Sequence, residues 1–251
     1  MPDETELPPI VTLDVDEGGA WIPEDMATIQ QATLDVARAI ARELNRDLEQ
    51  VMRIMDRVDP DRRRRRRAAI EPPSPEAIFL KTYGDPVSFR RRSKTATQFF
   101  GREDGAWGFC QSRKQIFIFK NAPAFRPGRS SVSQTPEFSV HELGHAFENA
   151  VAAGIAAATG TGVKRGRNSL TRDLYDNRRG FSQKRGFQQS KTFGSDQSGR
   201  GEIFADMFIG WVYQEWETID GILTADGQAR KAFMDRIMLS LIEDAMQQGD
   251  A

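Results

Sequence analysis

The chain has few of the side chains that most often bind metals or cross-link a fold, since its 251 residues include one cysteine and two histidines. Cys110 alone cannot form an internal disulfide, which excludes a disulfide framework and a zinc ribbon. Hydrophobic residues make up 39% of the chain, which is low for a globular protein but enough to form a core. The formal charge of -1 provides no overall attraction to nucleic acid or to anionic membranes.

Targeting and membrane signals are also missing. The first twenty residues contain six acidic residues and no Lys or Arg, whereas a signal peptide begins with basic residues. No run approaches the roughly 20 apolar residues that a membrane span needs. We therefore expect a cytoplasmic protein with no membrane partner, and a specialised export route stays open.

The chain divides into three predicted regions. Residues 1–23 are an acidic, extended lead-in. Residues 24–76 comprise a long helix, with apolar positions recurring at spacings of three and four, and then an arginine- and proline-rich linker. Residues 77–251 form the main domain, which contains a basic, glycine-rich loop at 160–201.

Within the main domain, short aromatic and β-branched segments come first and helices follow. The segments are residues 78–83, 87–91, 97–100, 107–110 and 114–120, and they predict three to five strands of a small, largely antiparallel sheet. Thr135 and Pro136 then suit the start of a helix that runs to about Ala158. Further helices are expected at 202–216 and 228–247. The fold class is therefore α+β.

Both histidines fall inside one five-residue window, His141-Glu-Leu-Gly-His145. Positions i and i+4 share one face of a helix, so both imidazoles can reach one metal ion. Glu142 lies about 100° round the helix axis and can hold a water molecule without being a ligand. This is the HExxH pattern of zinc hydrolases, and paired imidazoles suit Zn²⁺.

One zinc ion needs a third protein ligand, and no histidine remains to supply it. Glu202 is favoured because it begins a helix in which Asp206 follows at i+4 on the same face. Asp206 can accept a hydrogen bond from the outward ring nitrogen of a zinc-bound histidine. Asp196, in the glycine-rich loop, and Glu148, one turn beyond His145, are the alternatives.

These two motifs resemble a known family. HExxH followed by a helix carrying ExxxD resembles the signature of the gluzincin metallopeptidases. The segment Glu202-x-Phe-Ala-Asp-x-Phe208 is similar to the third-ligand helix of anthrax-lethal-factor-type and related bacterial zincin domains. The resemblance covers about residues 97–217. About 57 residues separate His145 from Glu202, which is longer than in compact gluzincins.

The resemblance implies a zincin-like core that hydrolyses peptide bonds in a protein or peptide substrate. His141, His145 and Glu202 would bind zinc, and Glu142 would be the general base. An edge strand before the active-site helix would pair with extended substrate, and residues 114–120 are expected to be that strand. The residue that stabilises the oxyanion is not identifiable. Tyr213 is too far along its helix, which leaves Tyr175 or a loop arginine.

Two basic segments support a different class of function. Residues 62–67 are six consecutive arginines, and residues 160–201 contain ten basic and three acidic residues. They suggest a metallopeptidase-like regulator that acts on one dedicated partner or binds nucleic acid, which is the less favoured reading. A further alternative is a catalytically silent module that zinc stabilises.

Overall fold

The computed structural model describes residues 9–16, 20–58, 73–101, 108–120, 135–159, 197–216 and 218–247, with backbone alone at 47, 51–58, 135, 197–203 and 226. The arginines at 62–67 and nearly all of the loop at 160–201, with Asp196 and Tyr175, lie outside these residues. The helices are α1 (Pro23–Val58), α2 (Pro75–Tyr83), α3 (Ala96–Phe100), α4 (Thr135–Thr159), α5 (Gln197–Tyr213) and α6 (Ala225–Met246). The strands are β1 (Val11–Val15), β2 (Val87–Arg91), β3 (Gly108–Ser112), β4 (Gln115–Ile118), β5 (Thr218–Ile219) and β6 (Ile222–Leu223). The predicted α+β organisation is confirmed.

The main sheet has four strands in the order β1-β2-β4-β3. Antiparallel pairing, which we expected for most of the sheet, joins β3 to β4 and also joins β5 to β6 in a separate ribbon. In contrast, β1, β2 and β4 are parallel to one another. Parallel neighbouring strands need a long connection that returns the chain to the same end of the sheet. Helices α1 and α2 provide this connection between β1 and β2. The four-stranded sheet is therefore mixed.

The predicted edge strand is wrong. Residues 114–120 contain β4, which lies between β2 and β3 and pairs with both. Ile116, Phe117 and Ile118 are all buried, as in a strand that is covered on both faces. The short turn at 113–114 folds β3 back onto β4, so that β3 is the last strand of the sheet within the described part of the chain.

The acidic lead-in contains a strand that its composition concealed. β1 pairs in register with β2, with Val11 opposite Val87. Acidic residues in β1 and directly after it bind polar groups in β2 and directly after it. The Ser88 hydroxyl donates to Asp14 at 2.6 Å. Asp16 accepts from the Arg92 guanidinium at 2.8 Å and lies 3.1 Å from that of Arg90. The alternation of Val11-Thr-Leu-Asp-Val15 was the available signal.

Two of the five predicted strand segments are helical. Residues 78–83 belong to α2, which Ser74 caps at the start and Gly84 ends in the left-handed conformation, with φ of 81°. Residues 97–100 belong to α3, where Thr95 and Gln98 form a reciprocal capping box. In both segments, capping residues outweighed the β propensity of the aromatic side chains.

The long helix α1 is confirmed, and it packs as part of the core. Ile29, Val36 and Ile40 are buried along its apolar face. The Arg42 guanidinium donates hydrogen bonds to the carbonyls of Trp211 at 3.0 Å and Val212 at 3.4 Å. These carbonyls are in the last turn of α5, where helix carbonyls lack partners within the helix. Thus α1 caps and supports α5.

Helix α4 is the centre of the helical layer and packs against both α5 and α6. Two glycines mark its closest approaches. A Cβ atom added at Gly154 would lie 1.8 Å from the Asp244 carbonyl oxygen of α6. One added at Gly144 would lie 3.1 Å from the Ala205 Cα of α5. The side chains of Leu143 and Phe147 fill the buried space beside these contacts. Among the residues described, no helix has the length and apolarity to cross a membrane.

Asp25, in the first turn of α1, provides a test of how deeply the start of this helix is buried. Burial raises its pKa to about 6, while the Arg91 charge lowers it and the Glu24 charge raises it. The folded state therefore binds more protons than the unfolded state between pH 4 and pH 6, so stability falls as pH rises through that window. We expect Asp25→Asn to remove this dependence and to stabilise the protein at pH 7 by about 1–3 kcal/mol.

Urea unfolding at pH 4.5 and pH 7, followed by circular dichroism, measures this change. Asp220→Asn, in the exposed turn of the ribbon, is the matched control. An equal change in stability between these pH values in the wild type and in Asp25→Asn would contradict the raised pKa of Asp25.

Candidate functional site

The HExxH motif lies in the first half of α4, on its buried side. His141, Glu142 and His145 are 2%, 5% and 6% exposed, so all three point into the protein and not into bulk water. The ring centroids of His141 and His145 are 4.8 Å apart, and the ring planes are nearly perpendicular at 88°. Two imidazoles bound to one tetrahedral zinc ion have centroids roughly 5 Å apart. The rings therefore fit a shared ion.

His141 is bound by the helix that follows α4 in the structure. Its Nδ1 lies 2.9 Å from Asp206 Oδ1 of α5, and both side chains are buried. Because a carboxylate accepts, we assign the proton to Nδ1, which leaves Nε2 with a lone pair for a metal. We predicted that Asp206 would bind one of the two histidines, and the structure shows that it contacts His141. Their role toward zinc stays a prediction.

A glycine in the motif allows this contact. Gly144 faces α5, and a Cβ there would also lie 3.2 Å from the Cβ of Phe208. The rings of Phe147 and Phe208 stack beside it with centroids 5.4 Å apart. The absence of a side chain at Gly144 lets the two helices approach closely enough for Asp206 to reach His141. Because this requires residues 65 positions apart to pack together, it was not readable from the motif alone.

His145 also has a carboxylate at its Nδ1. Glu148 Oε2 lies 3.6 Å from that atom, and both side chains are less than a tenth exposed. We weighed Glu148 as a zinc ligand. In the structure the Glu148 carboxylate lies beside Nδ1 of His145. Asp206 lies beside the same atom of the His141 ring.

Glu142 occupies a space that β3 leaves open. A Cβ added at Gly108 would lie 2.5 Å from Glu142 Oε1 and 2.6 Å from Phe138 Cζ. The general-base candidate is therefore positioned against the backbone at the start of β3. Gly108 is a residue that the sequence interpretation missed. Its only signal was a glycine at the beginning of a predicted strand.

The motif is also anchored from its far side by Tyr83, at the end of α2. The Tyr83 hydroxyl donates a hydrogen bond to the Leu143 carbonyl at 3.1 Å, and burial raises the pKa of Tyr83 well above its usual value. Its ring stacks on Phe79 at a centroid distance of 4.3 Å. Helix α2, which we predicted as a strand, thus holds the helix of the motif in place.

The third ligand is the open part of the site. The backbone of Glu202 lies in α5 one turn before Asp206, but its side chain is outside the described set. Among the side chains that are described, no group of three or more His, Cys, Asp or Glu residues is disposed to hold a metal ion. The two histidines and the chemistry of their partners fit zinc, and Glu202 stays the predicted third ligand.

Tyr213 has a structural environment that agrees with its exclusion as the oxyanion partner. Burial raises the pKa of its hydroxyl, as do the charges of Asp35, Glu137 and Glu215. The other candidates, Tyr175 and the loop arginines, lie outside the residues described.

Gly108→Ala tests the placement of Glu142. We expect the added methyl group to displace the Glu142 carboxylate, because its flexible end moves more easily than backbone. Peptide hydrolysis should fall by about 10-fold or more, as expected when a general base is misplaced. Zinc content, measured by elemental analysis, should be unchanged because the atoms nearest to this methyl group belong to Glu142 and Phe138.

No family model, curated protein or solved structure matches the chain. Function is therefore inferred from the site, which consists of the motif on α4, Asp206 on α5 and the beginning of β3.

Proposed function

We propose that this protein is a zinc-dependent endopeptidase in which His141, His145 and Glu202 bind one zinc ion and Glu142 is the general base. The zincin-like core is part of the same proposal, since HExxH would lie on α4 and the third ligand on α5. The observation that carries it is the 2.9 Å contact between His141 Nδ1 and Asp206 Oδ1. A histidine held in this way by a buried carboxylate directs its other nitrogen to an ion.

The chemistry divides between the ion and the protein. When bound, zinc would supply Lewis acidity, which polarises the scissile carbonyl and lowers the pKa of water. Glu142 accepts a proton from the attacking water and then delivers it to the departing amine nitrogen. Because Glu142 is only 5% exposed, bulk water competes little for this proton. Asp206 keeps the His141 ring in one tautomer and orientation throughout.

The proposed path of the substrate follows β3. This strand ends the sheet, and its first residue, Gly108, is adjacent to the Glu142 carboxylate. An extended peptide that pairs with β3 would bring its backbone beside the general base. The edge-strand role that the resemblance assigned to residues 114–120 thus moves to β3.

The regulatory alternative depends on the basic segments, which lie outside the described residues. The silent alternative depends on the absence of turnover. Nothing among the described side chains favours them over hydrolysis, so we advance one function. A casein or peptide-library assay with and without a chelator distinguishes an active peptidase from a silent module. DNA binding that falls steeply with salt would instead favour the nucleic-acid alternative.

Glu142→Gln should retain zinc and lose hydrolysis by at least about 100-fold. The amide preserves the size of the side chain but cannot accept the proton of the water. Zinc content and casein cleavage, measured on the same preparation, test this expectation. Loss of both zinc and the fold in this variant would count against the assigned role. Glu137→Gln, on the same helix, is the matched control.

Removal of a ligand should give the opposite pattern. His145→Ala and Glu202→Ala should each lower the zinc bound per chain after dialysis, because two protein ligands hold zinc far more weakly than three. Elemental analysis measures the stoichiometry, and Glu243→Ala on the exposed side of α6 is the control. Unchanged zinc content in Glu202→Ala would move the third ligand to another residue.

A further inference from the structure

The geometry points to Glu148 as a positioning residue for His145, which makes the metal site one in which each histidine has its own carboxylate. This inference rests on the proposed function and extends it to a residue that the motif does not contain. Glu148 is buried, at 8% exposure, although a glutamate on a helix normally reaches solvent. Burial of a carboxylate is costly unless a partner offsets it.

His145 is one of the groups that this carboxylate contacts. Glu148 Oε2 lies 3.6 Å from His145 Nδ1, which is within ion-pair range and longer than a hydrogen bond. With the Nδ1 proton on the Glu148 side of the ring, Nε2 keeps the lone pair that would bind the ion. The same assignment holds for His141 and Asp206. With a carboxylate beside each Nδ1, the Nε2 atom of each ring is the one left to bind an ion.

The two supports have different origins. Asp206 comes from α5 and reaches His141 only when α5 packs against Gly144. Glu148 is three residues after His145 on α4, so its contact forms with the helix itself. The contact of His145 is thus local to α4, whereas that of His141 depends on the packing of α5. A local carboxylate also makes the imidazole a more basic ligand, as carboxylate partners do in other zinc sites.

Three variants of the full chain test the inference: Glu148→Gln, Glu148→Leu and, as the control on an exposed helical glutamate, Glu243→Gln. Competition with a chromophoric chelator measures zinc affinity. We expect Glu148→Leu to weaken zinc binding by about 10–100-fold, the range for loss of such partners. Glu148→Gln should recover most of the affinity, because its amide oxygen still accepts from Nδ1–H. Glu243→Gln should bind zinc as the wild type does.

Two further measurements separate positioning from other roles. The melting temperature of the zinc-free protein should be similar in all variants, since a merely structural residue would lower it in both Glu148 variants. The absorption spectrum of the cobalt-substituted protein should keep its tetrahedral character in Glu148→Gln. Unchanged zinc affinity in Glu148→Leu would overturn the inference, as would loss of the tetrahedral spectrum, which would make Glu148 a ligand. A wild-type protein that binds no zinc would instead refute the proposed function.

Discussion

The close packing of α4 on α5 at Gly144 is the constraint on which the rest of the site depends. Without a side chain at this position, the backbone of Ala205 approaches the motif helix, and Asp206 comes within 2.9 Å of His141. The aromatic rings of Phe147, Phe204 and Phe208 stack around the crossing and exclude water from it. A buried hydrogen bond to a carboxylate is strong only when water is excluded, so the packing and the polar contact support each other.

The remaining elements hold this crossing in place. Tyr83 of α2 binds the Leu143 carbonyl within the motif, and Arg42 of α1 binds the carbonyls that end α5. The sheet contributes on the opposite side, where Gly108 leaves room for the Glu142 carboxylate. Each helix of the site is thus supported by a residue distant in sequence, although α1 looked like an extension separate from the main domain. Its buried face instead belongs to the common core.

Much of the site was predictable because the chemistry is local to short motifs. His141, Glu142 and His145 follow from a five-residue pattern, and the histidine count excluded a third histidine and directed attention to Glu202 and Asp206. The supports were not predictable in the same way. From the sequence, Glu148 was predicted only as a possible zinc ligand. Gly108 and Tyr83 act through contacts with α4, and residue spacing in the sequence does not predict such contacts. The strands were overpredicted where aromatic residues lie in α2 and α3, because capping at Ser74 and Thr95 decided those segments.

The sequence by itself determined that one ion could bind two histidines on one helical face, because positions i and i+4 of a helix are adjacent whatever surrounds them. It also determined the α+β class and the long helix α1, since hydrophobic periodicity is a local property. Only the tertiary structure decided which carboxylate meets which ring, that β3 and not β4 ends the sheet, and that Glu142 faces Gly108. These contacts join residues far apart in the chain, and their geometry depends on how closely whole helices and strands can pack.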